Sequence, residues 1–520
     1  MKFIFFSNTH YFQINHKVAV CLNELYPESK FGVFVGGTED PKKILDEQNE
    51  LKYEFVIDHS EIEQDFLDKD YNMEELKELE ETIPEKSLWR YIAMDRKWGW
   101  AFSKGASRFF LNPDKNKIDV ENILKVAYGY LRYYKSRFVE IKADVVVFFP
   151  GTHKMYQAIV EQVCKNLNIV HITLYWAGIK QLYMVTPCKE KTFPHVEVEY
   201  NKIINDSSID VSPGKDLYDD VRTSFLNNLD YSHRPINKLY SEMFKNKNRS
   251  YAKILLWQII KEIISKMRSE SVGINKGINN FLLAYQSKKL LTEKFYDKFD
   301  PDVKYLYYPL TGQPEYATQV MSNMWVNQLA IVEALAKSVP VDWQIYVKEH
   351  PATIGWRVRP FSFYKEIREY PNVRLIPIYI KNQEAVKNSQ MVVTIGSTAG
   401  WEAVLFYNKP VINFSRALYN ITGLSVQCSD LTELSNLISD EYKRMKTISN
   451  DERKKRLVAL IQAIINHSVD LDNPKNILNV HGIRKLSEKD VMSDASKIAL
   501  AYKKYIDESK CEVLINNVVV

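Results

Sequence analysis

Two regions of the chain alternate short apolar runs with segments in which apolar residues recur at helical spacing. The alternation is clearest after residue 301, where the apolar runs predict the strands of a buried sheet. These predicted strands span 305–310, 343–348, 373–377, 391–395 and 410–414. The helical periods between them predict helices at 324–338, 361–369, 381–388 and 399–406. Strands that alternate with helices in this way indicate a doubly wound parallel sheet.

The first 200 residues show the same alternation and predict a Rossmann-like lobe of their own. Its strands are predicted at 2–7, at 31–37, within 144–153 and within 168–176. Residues 61–86 are crowded with Glu and Asp, and we interpret them as a solvated helical excursion.

Residues 201–300 differ from both flanks because they are polar, rich in Asn and Lys, and dominated by long helical periods. We therefore predict an α/β protein with two Rossmann-like lobes. The predicted parts are an N-terminal lobe (1–200), a helical bridge (201–300), a C-terminal lobe (301–430) and a helical tail that packs back on the lobes (431–520).

One segment of the predicted bridge, residues 251–268, has the pattern of an amphipathic helix with lysine and arginine among its polar positions. Such a helix either lies on an anionic membrane surface or packs one apolar face on a neighbouring lobe. The first hypothesis adds a peripheral membrane contact, and the second makes the helix part of the core.

Composition narrows the class of protein. A chain of 520 residues that is 45% hydrophobic is long enough to bury two or three cores. The net charge of +5, from 70 basic and 65 acidic residues, argues against obligatory nucleic-acid binding. Five widely spaced cysteines without a CxxC pair favour reduced thiols and a cytoplasmic setting. The first ten residues become polar too early for a signal peptide, and no apolar stretch approaches the roughly 20 residues of a membrane span.

Three loops in the second half each follow a predicted strand and precede a helical segment. They are PLTGQPEYAT (309–318), KEHP (348–351) and GSTAGWEA (396–403). Parallel α/β sheets bind ligands beyond the carboxyl ends of their strands, so these loops are expected to converge on one site. The polar residues they contribute are Thr311, Gln313, Glu315, Lys348, His350, Ser397, Thr398 and Glu402.

The loop GSTAGWEA has the pattern of an anion site at the start of a helix. Ser397 or Thr398 can cap the helix, and the free N–H groups and helix dipole favour a phosphate. Glu402 lies one turn further on the same face, where it can accept hydrogen bonds from ribose hydroxyls. The alternative is an ordinary capped helix with Glu402 on the surface.

In the two other loops, a proline restricts the backbone beside charged and polar residues and so determines where their side chains point. Lys348 and His350 alternate with Glu349 and therefore point to one side, where they suit a phosphate or carboxylate. In the first loop, Gln313 is held extended and Glu315 lies at a helix start, as a carboxylate facing the substrate or as a first-turn residue favoured by the helix dipole.

The three motifs together resemble the capsule polysaccharide biosynthesis family, on QPE at 313–315, HP at 350–351, and GSTAGWEA followed by KPVINF. The resemblance covers about residues 303–415. The best understood members of that family are β-Kdo transferases with a GT-B fold, which has two Rossmann-like lobes and a deep cleft between them.

The resemblance implies that the C-terminal lobe binds a nucleotide-activated sugar, CMP-Kdo in the Kdo enzymes. It implies that Gln313, Glu315 and His350 are donor-site residues and that the N-terminal lobe binds the acceptor. No position of the N-terminal lobe matches the catalytic carboxylate of the family.

The catalytic group is therefore sought among N-terminal residues that can act as a base or nucleophile. Asp95, between two arginines, is the first candidate, and a structural Arg–Asp pair is its alternative. His153 and His10 follow predicted strands and are further candidates. Because no DxD-type acidic pair stands near the donor loops, we expect a metal-independent site with no cofactor besides the nucleotide sugar.

These observations predict a glycosyltransferase that moves a sugar, for example Kdo or a related acidic sugar, to a surface-polysaccharide or lipid-linked acceptor. Two related chemistries remain as alternatives: transfer of a polyol phosphate, and epimerisation of a UDP-amino sugar. A catalytically silent scaffold that binds glycan is the alternative from another class.

Overall fold

The architecture comes from a computed structural model that divides the chain into two compact units. Unit 1 holds the described residues within 1–99, 119–217 and 461–518, and unit 2 holds those within 218–460. The structure describes residues 1–8, 12–36, 50–83, 86–95, 98–99, 119–148, 155–186, 193–226, 290, 293–313, 315–353, 359–473 and 487–518.

Unit 1 is built on a mostly parallel sheet. Its strands are β1 (Lys2–Asn8), β2 (Lys30–Gly36), β3 (Phe55–Asp58), β4 (Val145–Phe148), β5 (Val170–Trp176) and β6 (Leu182–Thr186). They lie in the order β6-β5-β4-β1-β2-β3, with β1 to β5 parallel and β6 antiparallel to β5. Apart from the direction of β6, this is the strand order of a Rossmann sheet.

Helices cover the unit 1 sheet. They are α1 (Phe12–Leu25), α2 (His59–Leu67), α3 (Met73–Thr82), α4 (Leu88–Ala93), α5 (Val120–Ile141), α6 (Met155–Asn166), α7 (Pro194–Asn205) and α8 (Ser212–Leu226), of which α8 crosses the division between the units. Asn72 caps α3 and Asp119 caps α5, because each side chain accepts backbone N–H groups of the first turn. Phe3, Val33 and Ile172 lie in the buried core of this sheet.

Unit 2 contains an entirely parallel sheet. Its strands are β7 (Tyr305–Pro309), β8 (Gln344–Lys348), β9 (Val373–Ile376), β10 (Met391–Thr394), β11 (Val411–Asn413) and β12 (Val426–Gln427). The order is β12-β11-β10-β7-β8-β9, which is the Rossmann order 3-2-1-4-5-6 read from the other edge. The direction of strand addition reverses between β7 and β10, and such a reversal point is where doubly wound sheets bind ligands.

The helices of unit 2 pack on a core that includes Leu306, Ile345 and Val393. They are α9 (Tyr316–Gln319), α10 (Gln328–Ser338), α11 (Phe361–Ile367), α12 (Asn382–Asn388), α13 (Thr398–Phe406), α14 (Leu434–Thr447) and α15 (Asn450–Asn466), which crosses into unit 1. Short 3-10 helices span Glu293–Phe295, Asn323–Trp325, Pro351–Thr353, Leu418–Thr422 and Leu431–Glu433. The strands and helices predicted for this region are all present, with ends that differ by at most four residues.

The chain returns to unit 1 after residue 460. Strand β13 (Ser468–Asp470) pairs antiparallel with β6 and adds a seventh strand to the first sheet. Helix α16 (Glu488–Val518) packs against α1. The last part of the predicted tail is therefore structurally part of unit 1, whereas α14 belongs to unit 2.

Part of the predicted bridge lies outside the described residues, including the whole amphipathic segment 251–268. Within the described parts of the chain, no helix combines the length and apolarity needed to cross a membrane. The two separate, mostly parallel sheets confirm the predicted α/β fold class with two Rossmann-like lobes.

Candidate functional site

The loop after β7 is held in place by buried side-chain amides. The Gln328 side chain forms hydrogen bonds with both backbone groups of Thr311. Its Oε1 accepts from the Thr311 N–H at 2.9 Å, and its Nε2 donates to the Thr311 carbonyl at 2.9 Å. Gln313 is 1% exposed, and its Nε2 donates to the Val326 carbonyl at 2.6 Å. Gln313 therefore fixes the shape of this loop.

Two further polar side chains of this loop, those of Thr311 and Glu315, differ in their surroundings. The Thr311 side chain is 5% exposed, and its hydroxyl has no hydrogen-bond partner among the described residues. Glu315 folds back toward Gly312, where an added Cβ would lie 3.1 Å from the Glu315 carboxyl group. A buried hydroxyl without a partner is costly, so a ligand that hydrogen-bonds Thr311 gains that free energy.

A buried ion pair lies beneath the KEHP loop. The Arg359 guanidinium donates to both carboxylate oxygens of Glu349, and neither side chain is exposed. Arg359 Nη2 also donates to the Thr311 carbonyl at 2.6 Å, and the Tyr364 hydroxyl donates to Glu349 Oε2 at 2.7 Å. The pair therefore ties the loop after β8 to the loop after β7.

Lys348 and His350 flank that buried carboxylate, and burial changes the charge of both. Burial lowers the pKa of Lys348 to about 8, although Glu402 and Glu349 oppose this effect. Burial also lowers the pKa of His350, which the carboxylates of Glu315 and Glu349 partly offset. At neutral pH Lys348 is thus mostly a cation, whereas the His350 imidazole is neutral, so only one of the two predicted cations carries charge.

The loop after β10 forms a capped helix start. The Thr394 hydroxyl accepts from the N–H groups of Gly396 and Ser397 at 3.2 and 3.0 Å and donates to Ser397 Oγ at 2.7 Å. Gly396 has a φ of 111°, a conformation that side chains rarely tolerate. Ser397 Oγ accepts from the Ala399 N–H at 3.3 Å and caps α13, and Thr398 is exposed at its first position.

Glu402 is buried, at 8% exposed, so the alternative of a surface glutamate is wrong. Its Oε2 accepts from Asn382 Nδ2 at 2.6 Å, and Asn382 Oδ1 accepts from the Tyr307 hydroxyl at 2.7 Å. Its charge also acts on Lys348. Helix α13 is in this way linked to α12, β7 and β8.

All eight predicted donor-site residues lie at the carboxyl ends of β7, β8 and β10, which are neighbours in the sheet. The hydrogen bonds of Arg359 and the charge coupling of Lys348 with Glu402 join the three loops. The loops flank the reversal point between β7 and β10. Their part in donor binding stays a prediction.

Asp95 has a structural task in unit 1. It is 3% exposed; Oδ1 accepts from the Trp98 N–H at 3.0 Å, and Oδ2 accepts from the Met155 N–H at 2.9 Å. Because Met155 is the first residue of α6, this carboxylate caps that helix. The other two catalytic candidates, His10 and His153, lie outside the described residues.

Several residues that hold the site together were not predicted from the sequence. Asn382 and Thr394 carried a weak signal, since one begins a helix and the other is a polar residue closing an apolar strand. Arg359 carried none, because its partners Thr311 and Glu349 lie 48 and 10 residues away in the chain.

Residues 313–453 match the family model described as capsule polysaccharide biosynthesis protein. The predicted resemblance to this family is confirmed over that range. The matched range contains β8 to β12, both loops that follow β8 and β10, and most of the loop that follows β7.

Two curated relatives show sequence similarity to this chain over segments of nearly equal length. The capsule polysaccharide export protein KpsS of Escherichia coli is 30% identical over 105 residues, which cover 20% of this chain and 26% of that protein. The capsule polysaccharide modification protein LipB of Neisseria meningitidis serogroup B is 30% identical over 106 residues, covering 19% and 24%. The chain thus spans about a quarter of the length of these relatives.

Solved structures with a distant likeness include a UDP-GlcNAc 2-epimerase from Methanocaldococcus jannaschii, at 11% identity and a TM-score of 0.28, covering 88% of this chain and 98% of that one. Another is the calicheamicin glycosyltransferase CalG4, at 11% identity and a TM-score of 0.24, covering 90% and 94%. At these scores the fold assignment rests on the strand order of the two sheets.

Proposed function

We propose that this chain is a glycosyltransferase of capsule or related surface-polysaccharide assembly that uses a nucleotide-activated sugar donor. The observation that carries the proposal is the set of three linked loops at the reversal point of the unit 2 sheet. Except for the start of the loop after β7, these loops lie within the range that matches the capsule family. Ligands of doubly wound sheets bind at this point.

The donor phosphate is assigned to the start of α13 and to Lys348. The N-terminal N–H groups and dipole of a helix favour an anion, and Lys348 adds a cation of low exposure. In a site that excludes water, this charge offsets that of the phosphate leaving group without requiring a metal ion. The proposed reaction is therefore metal-independent.

The parts of the donor on either side of the phosphate are assigned to Glu402, His350 and Thr311. Glu402 accepts hydrogen bonds from the ribose hydroxyls, held in place by Asn382. His350 is a neutral hydrogen-bonding group, and Thr311 offers a hydroxyl that lacks a partner among the described residues. The sugar is proposed to be acidic, Kdo or a relative carried on CMP, and the acceptor to be a glycan or a lipid-linked glycan.

The general base is proposed among His10, His153 and Asp95. The helix-capping contacts of Asp95 and its 3% exposure favour the histidines, since a base must be able to reach the acceptor hydroxyl. An alanine variant at each position, assayed for turnover at saturating donor, identifies the base by the largest fall in kcat.

The test is a screen of CMP-, CDP-, UDP- and GDP-linked donors that measures nucleotide release with and without capsule-type acceptors. Nucleotide release is expected from one donor class, in a reaction that requires the acceptor and persists in EDTA. Loss of turnover in EDTA with recovery in magnesium or manganese would contradict the metal-independent site. Failure of every nucleotide to bind in calorimetry would favour the silent scaffold, and sugar conversion without acceptor would favour an epimerase.

A further inference from the structure

Unit 1 contains a cavity of about 650 Å³ beside helices α2 and α5 and the edge strand β3. Its volume lies within the roughly 300–1,000 Å³ typical of small-ligand sites. Aromatic side chains and cations line it together, among them Phe66, Tyr133, Lys69 and Arg132. None of the residues proposed to bind the donor belongs to its lining.

A glycine on α5 allows an aromatic ring to pack closely against this helix beside the cavity. A Cβ at Gly129 would lie 2.2 Å from the ring of Phe66, so only glycine lets that ring lie directly on the helix. The Tyr133 ring lies 6.0 Å from that of Phe66. The lining positions Lys125, Gly129 and Arg132 are three or four residues apart and share one helix face.

The charge of the lining favours an anion. Four cations (Lys69, Lys125, Arg132 and Arg137) accompany two carboxylates (Asp70 and Glu140). Two of the cations already have partners: Lys125 pairs with Glu121 at 2.8 Å and Arg137 with Glu140 at 3.0 Å. Lys69 and Arg132 are exposed, and neither has an ion-pair partner within the described parts of the chain.

We propose that this cavity binds a segment of an acidic oligosaccharide, the growing acceptor chain. The C–H faces of sugar rings are apolar and pack on aromatic rings. Tyr133 supplies such a ring, and the buried ring of Phe66 lies next to it. A guanidinium holds a sugar carboxylate with two parallel hydrogen bonds, which Arg132 supplies. The identity of the ligand as acceptor rests on the proposed function; the binding of an acidic glycan does not.

The experiment titrates the full chain with a hexamer of galacturonic acid, with maltohexaose as the neutral counterpart and with inorganic phosphate. The variants are Arg132→Ala, Arg132→Lys and Lys69→Ala. The control is Lys135→Ala, which removes an exposed cation of α5 outside the lining. Melting temperatures are recorded for each variant.

The acidic hexamer is expected to bind, and maltohexaose to bind at least tenfold more weakly. Arg132→Ala should weaken binding of the acidic hexamer by roughly tenfold, because a charge-assisted hydrogen bond is lost. Lys69→Ala should weaken the binding by less. Arg132→Lys should recover only part of the loss, since lysine lacks the planar fork. Lys135→Ala should bind as the wild type does.

The proposal is overturned if the acidic hexamer fails to bind, if Arg132→Ala and Lys69→Ala bind it as tightly as wild type, or if phosphate displaces it at equal concentration. Donor titration of the same variants separates this result from the proposed function. Unchanged donor affinity with lost glycan binding supports the cavity as a distinct site. Intact glycan binding without any donor binding would contradict the proposed transferase and leave the cavity established as a glycan site.

Discussion

Lys348 is 5% exposed, and its charge therefore depends on its surroundings more than on solvent. Burial disfavours the ammonium form, and the carboxylates of Glu349 and Glu402 favour it. The outcome is a pKa of about 8, within the range in which an assay can be run. A bound phosphate would add a third negative group and retain the proton.

Donor affinity is therefore expected to be highest below pH 8 and to fall as the pH rises through about 8, where Lys348 loses its proton in the free protein. Phosphodiester groups of the donor stay ionised throughout, so the change comes from the protein. Lys348→Met should bind the donor more weakly and lose this pH dependence. Calorimetry between pH 6.5 and 9.5 measures both, and Lys337→Met, an exposed lysine paired with Glu333, is the control. A wild-type pH profile in Lys348→Met would refute the assignment.

The buried pair of Glu349 and Arg359 leads to a prediction about stability. Arg359→Met would leave a fully buried carboxylate without its cation, and breaking such a pair typically costs about 3–5 kcal/mol of unfolding free energy. The double variant with Glu349→Leu should recover part of that loss, because no unpaired charge remains. Urea denaturation measures the effect. Lys304→Met, which breaks the exposed pair with Asp342, should cost less than about 1 kcal/mol. Equal costs for the two pairs would contradict the account.

Helix α13 is the element on which the site depends most, and it packs closely on the segment that follows β11. A Cβ at Gly400 would lie 1.9 Å from the Tyr419 hydroxyl oxygen. That hydroxyl donates to Asn413 Oδ1 at 2.8 Å, at the end of β11. The glycine thus lets the helix approach a hydrogen-bonded tyrosine.

Gly400→Ala is expected to destabilise the protein by about 1–3 kcal/mol, although alanine is the better helix former, because Tyr419 must move. Donor affinity should fall as well, since the start of α13 shifts with the helix. Thermal unfolding and donor titration measure the two effects. Gly36→Ala adds a Cβ that meets no atom of the described residues within 4 Å, and it serves as control. A melting temperature at or above that of wild type would show that the helix is loosely packed.

The elements of unit 2 could be predicted because each strand is an apolar run that ends at a glycine, proline or polar residue. The strands missed have weak patterns: β12 and β13 have two and three residues, and β3 and β6 are short strands outside the clearest alternation. The loops of the site could be found from strand ends alone. Their supports could not, because the contacts of Arg359 and Asn382 join segments that no sequence pattern relates.

The two units share one strand order, but different chemical groups line the candidate site of each. In each sheet the first strand of the unit lies at the centre and the fourth lies beside it, which creates a reversal point in both. In unit 2 that point carries the lysine, the histidine and the capped helix of the candidate donor site. Unit 1 carries the cavity with aromatic and basic lining. Donor and glycan are therefore expected to bind to different units.

Calorimetric titration of site variants determines whether the carboxyl edge of the unit 2 sheet binds the nucleotide-activated donor. The variants are His350→Ala and Glu402→Gln, which keeps an oxygen for Asn382; Glu384→Gln on α12 is the exposed control. Because hydrogen bonds to charged groups contribute about 1.5–3 kcal/mol, we expect roughly 10- to 150-fold weaker donor binding in both, with unchanged melting temperatures. Wild-type donor affinity in both variants would show that the donor does not bind at this edge of the sheet.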